Sequence, residues 1–143
     1  VWGRLVELIG EVTPEAIRPF TPEELAPCGL SRSKSSYIHG LAMDSEAFLQ
    51  PNWDEFTDKE LLKHFTAFRG IGPWTSEMIL IFTLMRPDVF SIGDIGLIRA
   101  VQKLVPEADS KEKVLEISKR WMPYRTAASW YLWRMLDPVP VEY

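Results

Sequence analysis

The sequence predicts an all-α protein, on three observations. Apolar residues recur at helical spacing along most of the chain, as in Leu61, Leu62, Phe65 and Phe68. Helix-start signals punctuate it. Thr13-Pro14-Glu15, Thr21-Pro22-Glu23-Glu24, Thr57-Asp58-Lys59-Glu60 and Asp109-Ser110-Lys111-Glu112 each set a capping side chain before a helical run. No stretch alternates apolar and polar residues as a half-buried strand does, and no internal repeat is visible.

The elements follow in order. Val1 to Gly10 carries Val1, Leu5, Leu8 and Ile9 at helical spacing, with no cap ahead of Val1 and no Met. We therefore expect that an N-terminal part is missing. Two short helices end near Phe20 and near Gly29, the latter a C-cap glycine. A longer helix is expected from about Ser31 to Gln50, with Tyr37, Ile38, Leu41, Ala42 and Phe48 as a broken apolar stripe. Arg32 and Lys34 near its start either face solvent or touch a partner. Pro51-Asn52-Trp53 breaks it.

The centre is a helix, a tight turn and a helix over about 57–85. The first runs from the Thr57/Glu60 capping box to about Phe68. Gly70-Ile71-Gly72-Pro73 turns the chain, and the second runs from about Trp74 to Met85 through Met78, Ile79 and Phe82. Arg86-Pro87-Asp88 stops it, Val89 to Gly93 connects, and Asp94 to Leu104 forms a helix with Leu97, Ile98, Val101 and Leu104 on one side. The next helix reaches about Trp121. Pro123 breaks it, and Tyr124 to Met135 is the last helix before a tail with Pro138 and Pro140. Trp121, Tyr124, Trp130 and Tyr131 are assigned mainly to packing.

Composition narrows the function classes. The chain has 143 residues, 46% of them hydrophobic and 12% aromatic, which suits one folded domain over 1–143 and argues against disorder. No run of about 18 apolar residues suggests a membrane span, and no signal peptide is visible, so an intracellular location is expected. The formal charge of −4 argues against a protein that coats nucleic-acid backbone indiscriminately. Cys28, the single cysteine, excludes an internal disulfide and any four-cysteine zinc or iron–sulfur site; it is expected to be a small buried or half-buried side chain. His39 and His64 stand apart from any acidic cluster, so neither is expected to bind a metal.

Two features carry chemistry. The turn at Gly70 and Gly72 exposes backbone N–H groups at a helix start, where a phosphate binds without a lysine, although a plain turn between packed helices has the same residues. Asp94 follows Gly93 at a helix start and reads first as an N-cap; a carboxylate there is also held as the anion by the helix dipole and amide hydrogen bonds, so a catalytic role is compatible with capping. A carboxylate fixed in this way can stabilise positive charge that develops in a transition state. Arg125 can meet a phosphate or pair with a carboxylate.

In this order, Gly70-Ile71-Gly72-Pro73-Trp74-Thr75, Asp88-Val89-Phe90, Asp94, Trp121-Met122-Pro123-Tyr124-Arg125 and Tyr131-Leu132-Trp133 resemble the helix-hairpin-helix DNA glycosylase superfamily, specifically its alkylated-base branch, the 3-methyladenine DNA glycosylase II type. The resemblance runs more weakly back to Val1. It implies a multi-helix, two-lobed domain without an iron–sulfur cluster, acting as a monomer on double-stranded DNA that carries alkylated bases. Asp94 matches the family's catalytic aspartate. Trp74 stands where lyases of the superfamily carry a Schiff-base lysine, so a monofunctional N-glycosylase is implied. Trp74 and Trp133 match tryptophans of the base pocket, where cation–π attraction favours a positively charged alkylated base. Met78, a helical turn beyond Trp74, stands where some relatives have tyrosine. Gly70, Gly72, Thr75 and Arg69 are the DNA-binding candidates. The family also implies a monovalent cation, Na+ or K+, on the main-chain carbonyls of Thr66, Phe68 and Ile71. The residue that fills the gap left in DNA lies, in the family, in the early region that the missing part puts in doubt. A noncatalytic helix-hairpin-helix DNA-binding module is the alternative, and the paired tryptophans with Asp94 argue against it.

Overall fold

Capping side chains mark where the helices after Thr13, Thr21, Ser31, Thr57, Asp94 and Ser110 begin. The computed structural model describes residues 1–137; the expected tail with Pro138 and Pro140 lies outside the described residues. Among those residues there is no strand, and no helix is long and apolar enough to cross a membrane. The chain divides into two compact units, Val1–Gly72 and a second that begins at Pro73.

The first unit opens with α1 (Trp2–Ile9), α2 (Pro14–Ile17) and α3 (Pro22–Leu25). Thr13 and Thr21 cap α2 and α3 through their side chains, and Glu24 completes a capping box with Thr21. A 3₁₀ turn, Ala26–Cys28, follows and ends on Gly29 at φ 95°. Leu5, Ile17, Leu25, Cys28 and Ala42 form the core here, so Cys28 is buried as expected.

The long helix expected from Ser31 to Gln50 is instead two, α4 (Arg32–Met43) and α5 (Ser45–Leu49), broken at Asp44. Arg18 supplies the physical reason. Its Nε donates to the Ala42 carbonyl at 3.0 Å, and its Nη2 to Ser45 Oγ at 2.7 Å. In an uninterrupted helix that carbonyl would serve the amide of Glu46.

After a 3₁₀ turn at Trp53–Glu55, α6 (Asp58–Thr66) starts on the full Thr57/Glu60 capping box. Phe65 is fully buried and packs on Phe48 and Trp53, with ring centroids 5.1 and 5.4 Å apart. His64 joins this aromatic cluster and donates from Nε2 to the Phe48 carbonyl at 2.9 Å, a packing role. Gly70 then turns the chain at φ 90°. A Cβ there would lie 2.3 Å from Tyr37 Cγ, so a side chain is excluded by space as well as by backbone angle.

In the second unit, α7 (Pro73–Met78) widens into a π turn over Ile79–Thr83, with the Leu84 N–H reaching the Ile79 carbonyl at 3.0 Å. Met85 at φ 53° ends it, so the helix stops short of the expected Met85 boundary. α8 (Ile95–Leu104), α9 (Lys111–Ser118, capped by Ser110) and α10 (Arg125–Leu136) complete the unit, with a 3₁₀ turn at Lys119–Trp121 before α10. Its core is Phe90, Leu97, Ala100, Val101, Ala108, Val114 and Leu132, with Trp121 packed against it. The buried face of α10 is Thr126, Ser129 and Leu132. Tyr124 and Tyr131 fall off that face and are 67% and 79% exposed, so the packing expectation fails for both.

Polar bonds sew residues 86–89 onto α10. Thr126 Oγ1 donates to the Arg86 carbonyl at 2.5 Å and accepts the Val89 N–H at 3.0 Å, while its own N–H reaches the Pro87 carbonyl at 3.0 Å. Arg125 pairs with Asp88 in a fork, Nε to Oδ1 at 2.7 Å and Nη2 to Oδ2 at 3.0 Å, which resolves its two sequence readings towards the carboxylate. That hydrogen bonding holds the Asp88 carboxyl below the usual aspartate range, outweighing burial. A lowered carboxyl contributes stability that is full above the unfolded value and lost as pH falls through the folded one. Asp88→Asn is expected to cost about 1–2 kcal/mol of unfolding free energy at neutral pH. In urea denaturation, the gap from wild type should close on acidification below the carboxylate range.

Candidate active site

Asp94 is where three helices of the second unit meet. It is the N-cap of α8, and its Oδ1 accepts the Leu97 N–H at 2.8 Å. Trp74, the second residue of α7, donates from Nε1 to Asp94 Oδ2 at 2.9 Å. Trp133, on α10, donates from Nε1 to Oδ1 at 3.3 Å. One carboxylate thus receives a backbone amide and two indole N–H groups. It is half-buried, neither turned out into water nor sealed in the core.

The local sequence builds each donor. Pro73 fixes the first turn of α7, so Trp74 projects from a defined position. Fully buried Leu97 and partly packed Ile98 anchor the start of α8. Leu132 docks α10 in the core, next to Trp133. The indoles present their N–H edges, not their faces, to the acid. One face of Trp133 lies against Phe82, with centroids 5.8 Å apart and planes 19° from parallel, and Trp130 meets its edge at 6.2 Å. Trp74 remains 49% exposed.

The other expected residues divide between the two units. Met78 is the last residue of α7, half-buried, and Thr75 is half-buried in the first turn. Gly70, Gly72 and Arg69 are exposed and end the first unit. Arg69 holds its guanidinium 5.6 Å from the centroid of the Tyr37 ring. Thr66 closes α6, and the Phe68 carbonyl accepts the Ile71 N–H at 3.1 Å while keeping a second lone pair. Carbonyls past a helix C-terminus suit a cation, so Thr66, Phe68 and Ile71 fit one on donor chemistry. Among the described residues, no group of three or more His, Cys, Asp or Glu could hold a metal ion.

Sequence reading missed four residues here. Phe82, read from the sequence only as part of the second helix's apolar spacing, is 39% exposed and stacks on Trp133. Gly96 leaves room for the acid, since a Cβ there would lie 3.0 Å from Asp94 Oδ1 and 3.6 Å from Trp133 Cδ1. Glu77 accepts a hydrogen bond from Ser91 Oγ. Burial pushes the Glu77 carboxyl up, the Ser91 bond pulls the other way, and the charge of Asp94 adds to the rise. The one acid between Trp74 and Arg86, set just before the apolar run that starts at Met78, was the available signal for Glu77; Ser91 and Gly96 gave none.

Residues 1–124 match the HhH-GPD superfamily base excision DNA repair protein family. The chain belongs to the HhH-GPD superfamily. Among its relatives, this HhH-GPD chain is 37% identical over 127 residues to DNA-3-methyladenine glycosylase 1 of Schizosaccharomyces pombe, covering 85% of the chain and 56% of the relative. It is 36% identical over 126 residues to a DNA-3-methyladenine glycosylase of Bacillus subtilis, covering 85% of the chain and 42% of that protein. The chain spans about half the length of these curated relatives. Of solved structures, the 3-methyladenine DNA glycosylase of S. pombe in complex with abasic DNA superposes with a TM-score of 0.83 at 31% identity, covering 98% of this chain and 73% of that one. The DNA-3-methyladenine glycosidase of Bacillus halodurans gives 0.80 at 32% identity, covering 95% and 65%.

Gly96→Ala tests how closely the site is fitted. Alanine is favoured over glycine in a helix by about 0.5–1 kcal/mol, which offsets the cost of crowding the Asp94 cap, so stability should stay within about 1 kcal/mol of wild type. The added methyl should push Asp94 Oδ1 aside by a few tenths of an ångström and weaken its bond from Trp133, moving the Trp133 indole N–H resonance towards that of an unbonded indole.

Proposed function

We propose that this chain carries the catalytic centre of a monofunctional DNA glycosylase, which releases alkylated purines of the 3-methyladenine type from double-stranded DNA. The observation that supports this most is the Asp94 carboxylate fixed by Leu97, Trp74 and Trp133. Breaking the N-glycosidic bond sends its electron pair to the departing base, which is already cationic from alkylation and leaves neutral. The sugar is left with oxocarbenium character. A carboxylate held in place opposes that positive charge and orients a water towards C1′, whose attack gives an abasic site and one released proton. No lysine stands at position 74, so no Schiff base forms and the strand stays uncut. The exposed Trp74 offers a surface on which a flipped cationic base stacks. Gly70, Gly72, Thr75 and Arg69 bind the DNA backbone, and the carbonyls of Thr66, Phe68 and Ile71 would hold a monovalent cation that adds positive charge there. The enzyme acts as a monomer inside the cell.

The test is release of free 3-methyladenine from alkylated duplex by the full-length protein. Asp94→Asn should slow release by about 100-fold or more. Equal release by both proteins would remove Asp94 from the reaction. Binding of alkylated duplex without any release by wild type would favour the noncatalytic DNA-binding module.

A further inference from the structure

Glu77 is an acid that the proposed reaction does not use. It lies one turn past Trp74 on α7, half-buried, and accepts a hydrogen bond from the Ser91 hydroxyl. Ser91 is fully buried, and its carbonyl accepts the Asp94 N–H at 3.2 Å. Within the same turn, a Cβ on Gly93 would lie 3.8 Å from Trp74 Cβ and 3.9 Å from Ser91 Oγ, so the turn packs directly on α7. Helix α7 therefore holds residues 91–94 at two points: Glu77 on Ser91, and the Trp74 indole on the Asp94 carboxylate.

A packing role alone would not select a carboxyl here. A neutral acceptor would satisfy the Ser91 hydroxyl without placing a second acid where burial and the charge of Asp94 both disfavour ionisation. What a carboxylate adds is a shorter and more directional hydrogen bond. Side chains that oppose stability in this way concentrate at sites where geometry matters more than stability.

We propose that Glu77 is a positioning residue for Asp94: it locks Ser91, and through the Ser91 carbonyl it fixes the backbone from which the Asp94 carboxylate projects. This rests on the reading of Asp94 as the anion of the glycosylase reaction.

The experiment compares Glu77→Ala, Glu77→Gln, Ser91→Ala and Asp94→Asn with wild type in the full-length protein. It reads single-turnover release of 3-methyladenine at saturating DNA, the duplex Kd, and the Trp74 indole N–H resonance. Glu77→Ala and Ser91→Ala should each slow release about tenfold, with Kd within about twofold of wild type. Both should move the Trp74 resonance towards that of an unbonded indole. Glu77→Gln, which keeps an acceptor of the same shape but not the charge-assisted bond, should fall between wild type and Glu77→Ala, within about threefold of wild type in rate and with a smaller resonance shift. Wild-type rate and resonance in Glu77→Ala would overturn the proposal, as would a Glu77→Gln as slow as Glu77→Ala. If Glu77→Ala fails to fold, Ser91→Ala carries the same comparison. Should Asp94→Asn release base at the wild-type rate, the catalytic reading of Asp94 falls. The Trp74 resonance would still decide for or against Glu77 as the group that positions Asp94.

Discussion

Within the second unit, the arrangement depends on one carboxylate doing two jobs. Asp94 caps α8 through the Leu97 amide and at the same time ties down the indoles of Trp74 and Trp133. An N-cap side chain commonly satisfies one orphan amide and otherwise faces water. Here α7 and α10 supply further donors, so the direction of the acid is set by three helices and not by one rotamer. The core beneath, with Leu97, Val101 and Leu132 buried, fixes those helices before any ligand arrives. The chemistry proposed for the site needs that rigidity, because a charge that must reorient loses much of its value to a transition state.

The donor geometry also refines the picture of a base held between two aromatic faces. Both indoles turn their N–H edges towards Asp94, and one face of Trp133 is occupied by Phe82. Trp74 is left as the more open ring. In the proposed reaction, the two tryptophans therefore differ in role: Trp74 stacks on the base, while Trp133 mainly holds the acid, itself backed by Phe82 and Trp130. Selection for a cationic base then draws on one π face and the nearby anion together.

Much of this was legible in the sequence where a local rule governs. The Thr21/Glu24 and Thr57/Glu60 capping boxes, the Asp94 and Ser110 caps and the Gly29 stop all fall where short-range chemistry places them. What was not legible depends on partners distant in sequence. Arg18 breaks the helix at Asp44 by claiming the Ala42 carbonyl, and no residue near Asp44 announces it. The π turn that ends the helix before Met85, and the exposure of Tyr124 and Tyr131, are likewise set by packing. At the site, Asp94, Trp74 and Trp133 could be named from a family resemblance. Gly96, Ser91 and Phe82 could not, because their importance lies in distances across the fold.

The proposed reaction requires Asp94 to act as a fixed anion facing positive charge on the sugar. The most direct measurement is the affinity of the full-length protein for two duplexes, one with a neutral tetrahydrofuran abasic analogue and one with a cationic pyrrolidine analogue. Wild type should prefer the cation by about tenfold or more, and Asp94→Asn should lose that preference while binding the neutral analogue normally. An equal preference in the two proteins would contradict it.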